Sequence, residues 1–179
     1  MNWHKRKRVI TGLFICGIAL LLGLALAAIL FGYRTDAMNR RLAELHKTQE
    51  TAHAVLQAVV DAETGVRGFA ITGNPDYLQP YYSGIDRIAH VLPPVGANPV
   101  LVNATSSNGT KLPDLIRERE RIMAELIGIL REKGLEAARN AVTPGAGKRV
   151  MDEIRQTLSD LNARLDAESA AISAAAQSS

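Results

Sequence analysis

The chain has 179 residues, 47% of them hydrophobic, and a formal net charge of +3, which suits one domain of ordinary size. Four basic residues stand together at positions 5–8, and without them acidic and basic residues nearly balance, so no basic face for nucleic acid is expected. A single cysteine, Cys16, excludes a disulfide bond within the chain.

The first predicted element is an uncharged apolar stretch at residues 9–31. About 20 apolar residues cross a hydrocarbon core of roughly 30 Å, so this stretch is predicted to be a transmembrane anchor. The basic residues 5–8 should stay in the cytoplasm, which places the body of the chain across the membrane. A cleaved signal peptide is the alternative, because residues 25–27 resemble a cleavage site. The apolar run continues beyond that site, which favours an uncleaved anchor.

Two helices are predicted next. From Met38 to Ala70, residues on one face recur at alternating spacings of four and three, mostly apolar ones, which predicts a helix over residues 36–72. Such a narrow stripe must be covered by neighbouring helices. Asn74 can cap a second helix with Pro75 as its first residue, and this helix is expected to run to about Leu92.

The rest of the chain predicts a long connection and two more helices. Prolines and glycines after Leu92, followed by polar residues, predict a connection over residues 93–112, which is long enough to be functional or disordered. Amphipathic helices follow, one from near Pro113 and one after a break at residues 143–147, reaching Ile172.

No stretch alternates with a period of two, so the predicted fold class is all-α. The simplest arrangement is an N-terminal transmembrane helix followed by an antiparallel four-helix bundle. The predicted domains are a cytoplasmic basic tip at 1–8, the anchor at 9–31, the bundle at 36–172 and a flexible tail at 173–179.

The sequence carries no pattern typical of an enzyme. It has no phosphate-binding loop, no dinucleotide fingerprint and no serine–histidine arrangement, so neither catalysis nor a cofactor is predicted. His46, Glu50 and His53 share one helical face and contain one Glu-x-x-His element, whereas di-iron bundles use two such elements. We interpret these three residues as a solvated polar face, with a surface zinc or copper site as the alternative.

The most specific stretch reads DAETGVRGFAITGNPDYLQPYY. Glu63 lies on the apolar stripe, where a carboxylate needs a partner, and Arg67, one turn later, is the nearest candidate. Gly65 and Gly68 each cost roughly 1 kcal/mol against alanine inside a helix. A packing reason is therefore expected, namely a close approach of the second helix as it folds back. We interpret the stretch as a structural or signal-transmitting corner rather than a ligand pocket.

This stretch resembles the type-three CHASE domain, an extracellular sensory module associated with cyclases and histidine kinases. The resemblance rests on Glu-Thr-Gly-x-Arg-Gly, then apolar residues, Thr-Gly, and Tyr-Leu a few residues later. Weaker similarity follows at Asn98-Pro99 and over residues 134–158, and the whole covers about residues 36–170. The signature residues are Glu63, Thr64, Gly65, Arg67, Gly68, Thr72, Gly73, Tyr77 and Leu78.

The resemblance implies a sensory bundle in the periplasm or outside the cell, on a single-pass protein of a bacterial inner membrane with its N-terminus in the cytoplasm. It supplies no catalytic residues and leaves an unknown small ligand open. Neither a second span nor an output domain is found, so we expect a truncated receptor or a stand-alone sensor.

A stand-alone sensor is expected to act through a homodimer or a partner signalling protein. A stripe of small residues at Ala19, Gly23 and Ala27 favours close pairing of anchors. The alternatives are a coiled-coil-like adaptor that oligomerises with another membrane protein, and a metal-binding helical bundle.

Overall fold

The computed structural model describes residues 3–141 and 145–177. Its helices are α1 (Trp3–Thr72), a single 3-10 turn (Pro75–Leu78), α2 (Gln79–Ala97), the short α3 (Pro99–Val102), α4 (Leu112–Ala141) and α5 (Ala146–Gln177). Within the described ranges there is no strand, and the one β-type contact is an isolated bridge between Thr105 and Lys111. The all-α class predicted from the periodicity is confirmed.

The chain divides into two units, Met1–Ala43 and Glu44–Ser179. In the first unit, large apolar side chains between Phe14 and Ile29 are exposed, with Phe14 at 70%. Among the residues that the structure describes, no helix combines enough length and apolar character to cross a membrane. The side chains of residues 3–13, 30 and 31 lie outside the described ones. The basic tip and both ends of the predicted anchor fall there, so the anchor stays a prediction.

In the second unit, the part of α1 after Glu44 shares one buried core with α2, α4 and α5. The predicted stripe of α1 is buried or half-buried, and the same core takes apolar residues from every later helix. Each such side chain removed from water stabilises the fold by roughly 1.5–3 kcal/mol. A second cluster surrounds the end of α1. The first cluster includes Ala52, Val59, Ile88, Ile116, Ile154 and Leu158. The second cluster includes Val66, Phe69, Leu78, Met123 and Ile127.

The connection after α2 differs from the prediction. α2 continues through Pro93 and Pro94 to Ala97, because Val95 is completely buried and holds the last turn against the core. Instead of a long irregular loop, residues 99–102 form α3, and Leu101 is also fully buried. The prediction that these 20 residues form one long connection without helices is therefore wrong. The two prolines predicted a break, but the burial of Val95 and Leu101 stabilises helical structure in this region.

The last two helices begin close to the predicted positions. α4 starts at Leu112, next to the expected Pro113, but Gly134 has φ 75° and kinks it, which the sequence did not predict. Of the expected break, residues 143 and 144 lie outside the described residues, and α5 begins after Gly145, which has φ 80°. α5 extends to Gln177, into the stretch predicted to be a flexible tail, whereas residues 178 and 179 lie outside the described ones.

Candidate functional site

The end of α1 is closed by the residues that the sequence singled out. Gly73 has φ 67°, a left-handed conformation that glycine adopts without strain, and it is the first residue after the helix. The Thr72 hydroxyl donates to the Gly68 carbonyl at 2.8 Å and accepts from the Asn74 N–H at 3.2 Å. The chain therefore leaves α1 at a defined residue and in a defined direction.

The return segment is capped as predicted, with one difference. The Asn74 side chain accepts from the N–H of Asp76 at 3.0 Å, and Pro75 is the first residue of the new element. That element is a 3-10 turn, and the α-helix proper starts only at Gln79. Leu78, at the end of the turn, is completely buried, so it anchors the return segment in the second core cluster.

Glycines let α1 approach both α2 and the 3-10 turn before it closely. A Cβ placed on Gly65 would lie 2.5 Å from the backbone nitrogen of Tyr81, and one on Gly68 would lie 2.8 Å from Cδ1 of Tyr77. The close approach expected from these two glycines is present. α2 contributes in the same way, because a Cβ on Gly84 would lie 2.7 Å from the carbonyl oxygen of Ala58. The sequence interpretation missed Gly84, which also interrupts a helix.

Glu63 has two ionic partners, the predicted Arg67 and a second one on α4. Arg67 is within ion-pair distance, at 3.5 Å from Oε1, but its side chain is 73% exposed and belongs to the same helix. Exposed pairs of this kind contribute little to stability. Glu63 Oε2 lies 3.4 Å from Nη2 of Arg119 on α4, whose side chain is only 9% exposed. The contact that joins two helices is therefore Glu63–Arg119.

Arg119 also reaches the start of α5. A Cβ placed on Gly147 would lie 2.8 Å from Nη1 of Arg119, so the guanidinium occupies space that a side chain there would fill. Glu63 Oε2 and Arg119 Nε are both buried without a hydrogen-bond partner among the described residues. One buried arginine thus brings together α1, α4 and α5. The sequence carried a signal for this contact, because Arg119 interrupts the apolar stripe of α4 in the same way as Glu63 interrupts the apolar stripe of α1.

The remaining signature residues have different surroundings. Thr64 is exposed and donates to the carbonyl of Val60 one turn earlier. Tyr77 is half-exposed and covers Gly68 with its ring. The structure therefore brings Glu63, Gly65 and Gly68 into the helix interfaces and leaves Thr64 and Arg67 facing solvent.

Ionisable groups of α2 and α4 meet beside Gly65. Burial, and then the nearby carboxylate of Glu120, raise the pKa of the Tyr81 phenol. Burial also raises the pKa of the Glu120 carboxyl, and the Arg117 guanidinium opposes this. Arg131 donates to the Tyr82 hydroxyl at 2.8 Å and so links α4 to α2. These contacts fix the packing of α2 and show no nucleophile paired with a base.

The candidate metal ligands lie along an open groove. His46, Glu50 and His53 line it together with Asp166 of α5, and its volume is about 450 Å³. Gln49 donates to Asp166 at 2.7 Å and so occupies one of the carboxylate oxygens. Among the described residues, no three histidine, cysteine, aspartate or glutamate side chains converge to hold a metal ion. The geometry therefore does not support the zinc or copper alternative.

Comparison with known proteins identifies the family of this helical arrangement. The family model of the CHASE3 domain matches residues 38–175, which is most of the chain. The chain belongs to the CHASE3 family. CHASE3 is a non-catalytic sensory domain of histidine kinases and cyclases, located in the periplasm or outside the cell. No curated protein and no solved structure matches the chain significantly. The CHASE3 match includes the corner at Glu63, the bridge between Thr105 and Lys111 and all of α4.

Proposed function

We propose that this CHASE3 protein is a membrane-anchored signal-input module whose body is an antiparallel four-helix bundle outside the cytoplasm. The observation that carries the proposal is the CHASE3 match over residues 38–175, preceded by the uncharged stretch at 9–31. The shared core of α1, α2, α4 and α5 supports the bundle. The basic residues 5–8 support a cytoplasmic N-terminus and a bacterial inner-membrane location.

The exposure of the N-terminal apolar residues supports the anchor. Leu20, Leu21, Leu22 and Leu24 are each about 60% or more exposed, and Gly23 lies among them. A helix that is apolar on all sides needs an apolar environment, which in water is found only inside a protein core or a membrane. We therefore propose that residues 9–31 span the bilayer as a single pass.

The arrangement also suggests how a stimulus would reach the membrane. α1 carries both the apolar stretch and Glu63, and Arg119 joins Glu63 to α4 and α5. A change in the packing of α4 or α5 would therefore act on α1 through a buried contact. We propose that the chain works as a homodimer or with a partner signalling protein, which the small residues Ala19, Gly23 and Ala27 support.

Membrane retention tests the anchor. We expect the full chain to stay in the membrane fraction after an alkaline carbonate wash, with its N-terminal sequence intact by mass spectrometry. The double variant Leu22→Arg/Leu26→Arg should be released, because each charge near the bilayer centre costs roughly 2.5–3.5 kcal/mol. A wild-type chain found soluble, or shortened at residues 25–27, would contradict the proposal and favour a cleaved signal peptide.

A further inference from the structure

An ordered hairpin lies against α5 in the region between α3 and α4. Thr105 and Lys111 form an isolated antiparallel bridge, and the N–H of Ser106 donates to the carbonyl of Thr110 at 2.9 Å. At the tip, the Asn108 side chain donates to Glu153 of α5 at 3.0 Å. We call residues 103–111 the hairpin. Because it is held at its base and at its tip, the space between it and α5 has a fixed shape.

Two adjoining cavities fill this space. Their volumes are about 490 Å³ and about 320 Å³, and both are lined by Thr105, Thr157, Asp160 and Arg164. Because these four residues are shared, we treat the cavities as one and call it the hairpin cleft. Its far end is lined by the apolar side chains of Val100, Leu161 and Leu165 and also by Asn103 and Glu168.

Two buried hydroxyl groups in the hairpin cleft have no partner. Ser106 is 8% exposed and Thr157 is 3% exposed, and neither side-chain oxygen has a hydrogen-bond partner among the described residues. Leaving a buried polar group unpaired costs stability, so such groups usually have a partner that completes them.

Thr157 differs from other helical threonines of the same chain. Thr48, Thr51, Thr64 and Thr72 each donate their hydroxyl to the carbonyl four residues earlier. Thr157 also lies inside a helix, at a position where that bond is available, and does not make it. Its hydroxyl is therefore free to bond to a molecule in the hairpin cleft.

One cation, Arg164, and four carboxylates, those of Asp152, Glu153, Asp160 and Glu168, line the cleft, and of these five groups Arg164, Asp160 and Glu153 have no ionic partner among the described residues. Arg164 makes no ion pair or hydrogen bond with any residue that the structure describes, and Asp160 accepts only from the Gln156 amide, at 2.8 Å. In contrast, Asp152 at the rim is already paired with Lys148 and Arg155. Asp160 and Arg164 are one turn apart, so their Cβ atoms are roughly 5–6 Å from each other.

These features select a class of ligand. No aromatic side chain lines the hairpin cleft, so it lacks the stacking surface typical of sites for bases. A guanidinium binds a carboxylate through two parallel hydrogen bonds, and a carboxylate accepts from an ammonium group. A neutral α-amino acid carries an ammonium group and a carboxylate on the same α-carbon, and its uncharged side chain would meet Val100, Leu161 and Leu165.

We propose that the hairpin cleft binds a neutral α-amino acid. Arg164 binds its carboxylate, Asp160 binds its ammonium group, and the hydroxyls of Thr157 and Ser106 complete its hydrogen bonds. The proposal rests on the proposed function, because it gives the signal-input module a class of stimulus. It places that stimulus on α5, the helix whose start packs against Arg119.

Calorimetric titration of the full chain in detergent tests this proposal, with L-alanine, L-serine, L-threonine, L-valine and L-leucine as separate probes. We expect at least one to bind. Its carboxamide, which lacks the carboxylate, and its N-acetyl derivative, which lacks the ammonium group, should each bind at least tenfold more weakly. If none of the five binds, or if the carboxamide binds as tightly as the amino acid, the proposal is overturned.

Variants locate the binding. Arg164→Gln and Asp160→Asn should each weaken the affinity at least tenfold. Thr157→Val should weaken it while raising the melting temperature of the ligand-free chain, because a buried unpaired hydroxyl is removed. The matched control is Asp166→Asn, on the same helix in the other groove, and it should leave the affinity unchanged. Equal losses in Asp166→Asn and Asp160→Asn would overturn the assignment. Binding in detergent does not depend on membrane topology. The titration can therefore find no binding although the chain stays in the membrane, and it can find binding although the anchor proposal fails.

Discussion

The Gly65→Ala variant is expected to unfold with a free energy about 2 kcal/mol below that of the wild type. The new Cβ would lie 2.5 Å from the backbone nitrogen of Tyr81, so α2 must move away from α1. Overpacking of this kind costs roughly 1–3 kcal/mol, and a clash with backbone belongs at the upper end. Part of this loss in stability is recovered, because alanine is more favourable than glycine inside a helix by roughly 1 kcal/mol. Urea unfolding followed by circular dichroism measures the difference.

Gly128→Ala is the matched control, because it makes the same substitution inside α4 where no atom beyond the neighbouring backbone of that helix lies within 4 Å of the added Cβ. It should be more stable than the wild type by roughly 0.5–1 kcal/mol. Gly84→Ala should repeat the loss at Gly65 from the other side of the interface. Equal stability of Gly65→Ala and Gly128→Ala would mean that α1 and α2 do not meet at these glycines.

Arg119→Met is expected to lower the free energy of unfolding by about 3 kcal/mol. Methionine fills much of the space but leaves Glu63 without its buried partner. Removing one member of a buried pair costs roughly 3–5 kcal/mol. We take the lower end, because the Glu63 side chain is 24% exposed and water screens part of the charge. Arg67→Ala, in contrast, should cost less than about 0.5 kcal/mol, since that side chain faces solvent.

A double variant separates the charge from the packing. In Glu63→Gln/Arg119→Met no uncompensated carboxylate remains, so a substantial part of the stability lost in Arg119→Met should return. If Arg67→Ala lowers the stability as much as Arg119→Met does, the pair within α1 is the important one and our assignment is wrong. If the double variant recovers nothing, the contribution of Arg119 lies in its packing against Gly147 rather than in its charge.

The corner could be predicted from the sequence because its determinants are local. A left-handed glycine, a capping asparagine and a proline in sequence define where α1 ends, and Gly73, Asn74 and Pro75 occupy those roles. The need for a partner of Glu63 was also predictable from its place on an apolar stripe. The predicted ion pair with Arg67 is present, but the rule for pairs four residues apart sees only one helix and could not find the partner on α4. Arg119 is 56 positions away, and only packing brings it close.

The region between α2 and α4 shows where local reasoning fails. Pro93 and Pro94 predicted a break, yet the burial of Val95 carries α2 past both of them. The polar sequence of the hairpin predicted part of a long connection, and all of its residues except Ser106 are exposed or half-buried. No pattern in the sequence marked Ser106 and Thr157 as buried hydroxyls facing one cleft, because they come from different elements that only the fold places together.

Cysteine labelling in whole cells tests the central claim most directly, namely that the CHASE3 body lies across the membrane from its N-terminus. In a Cys16→Ser background, Ser159→Cys introduces a thiol at an exposed position of α5, and Asn2→Cys introduces one before the basic residues. With the outer membrane permeabilised, a maleimide that cannot cross the inner membrane should label Ser159→Cys at once and Asn2→Cys only after lysis. Labelling in the reverse order, or of neither variant before lysis, would contradict a signal-input module outside the cytoplasm.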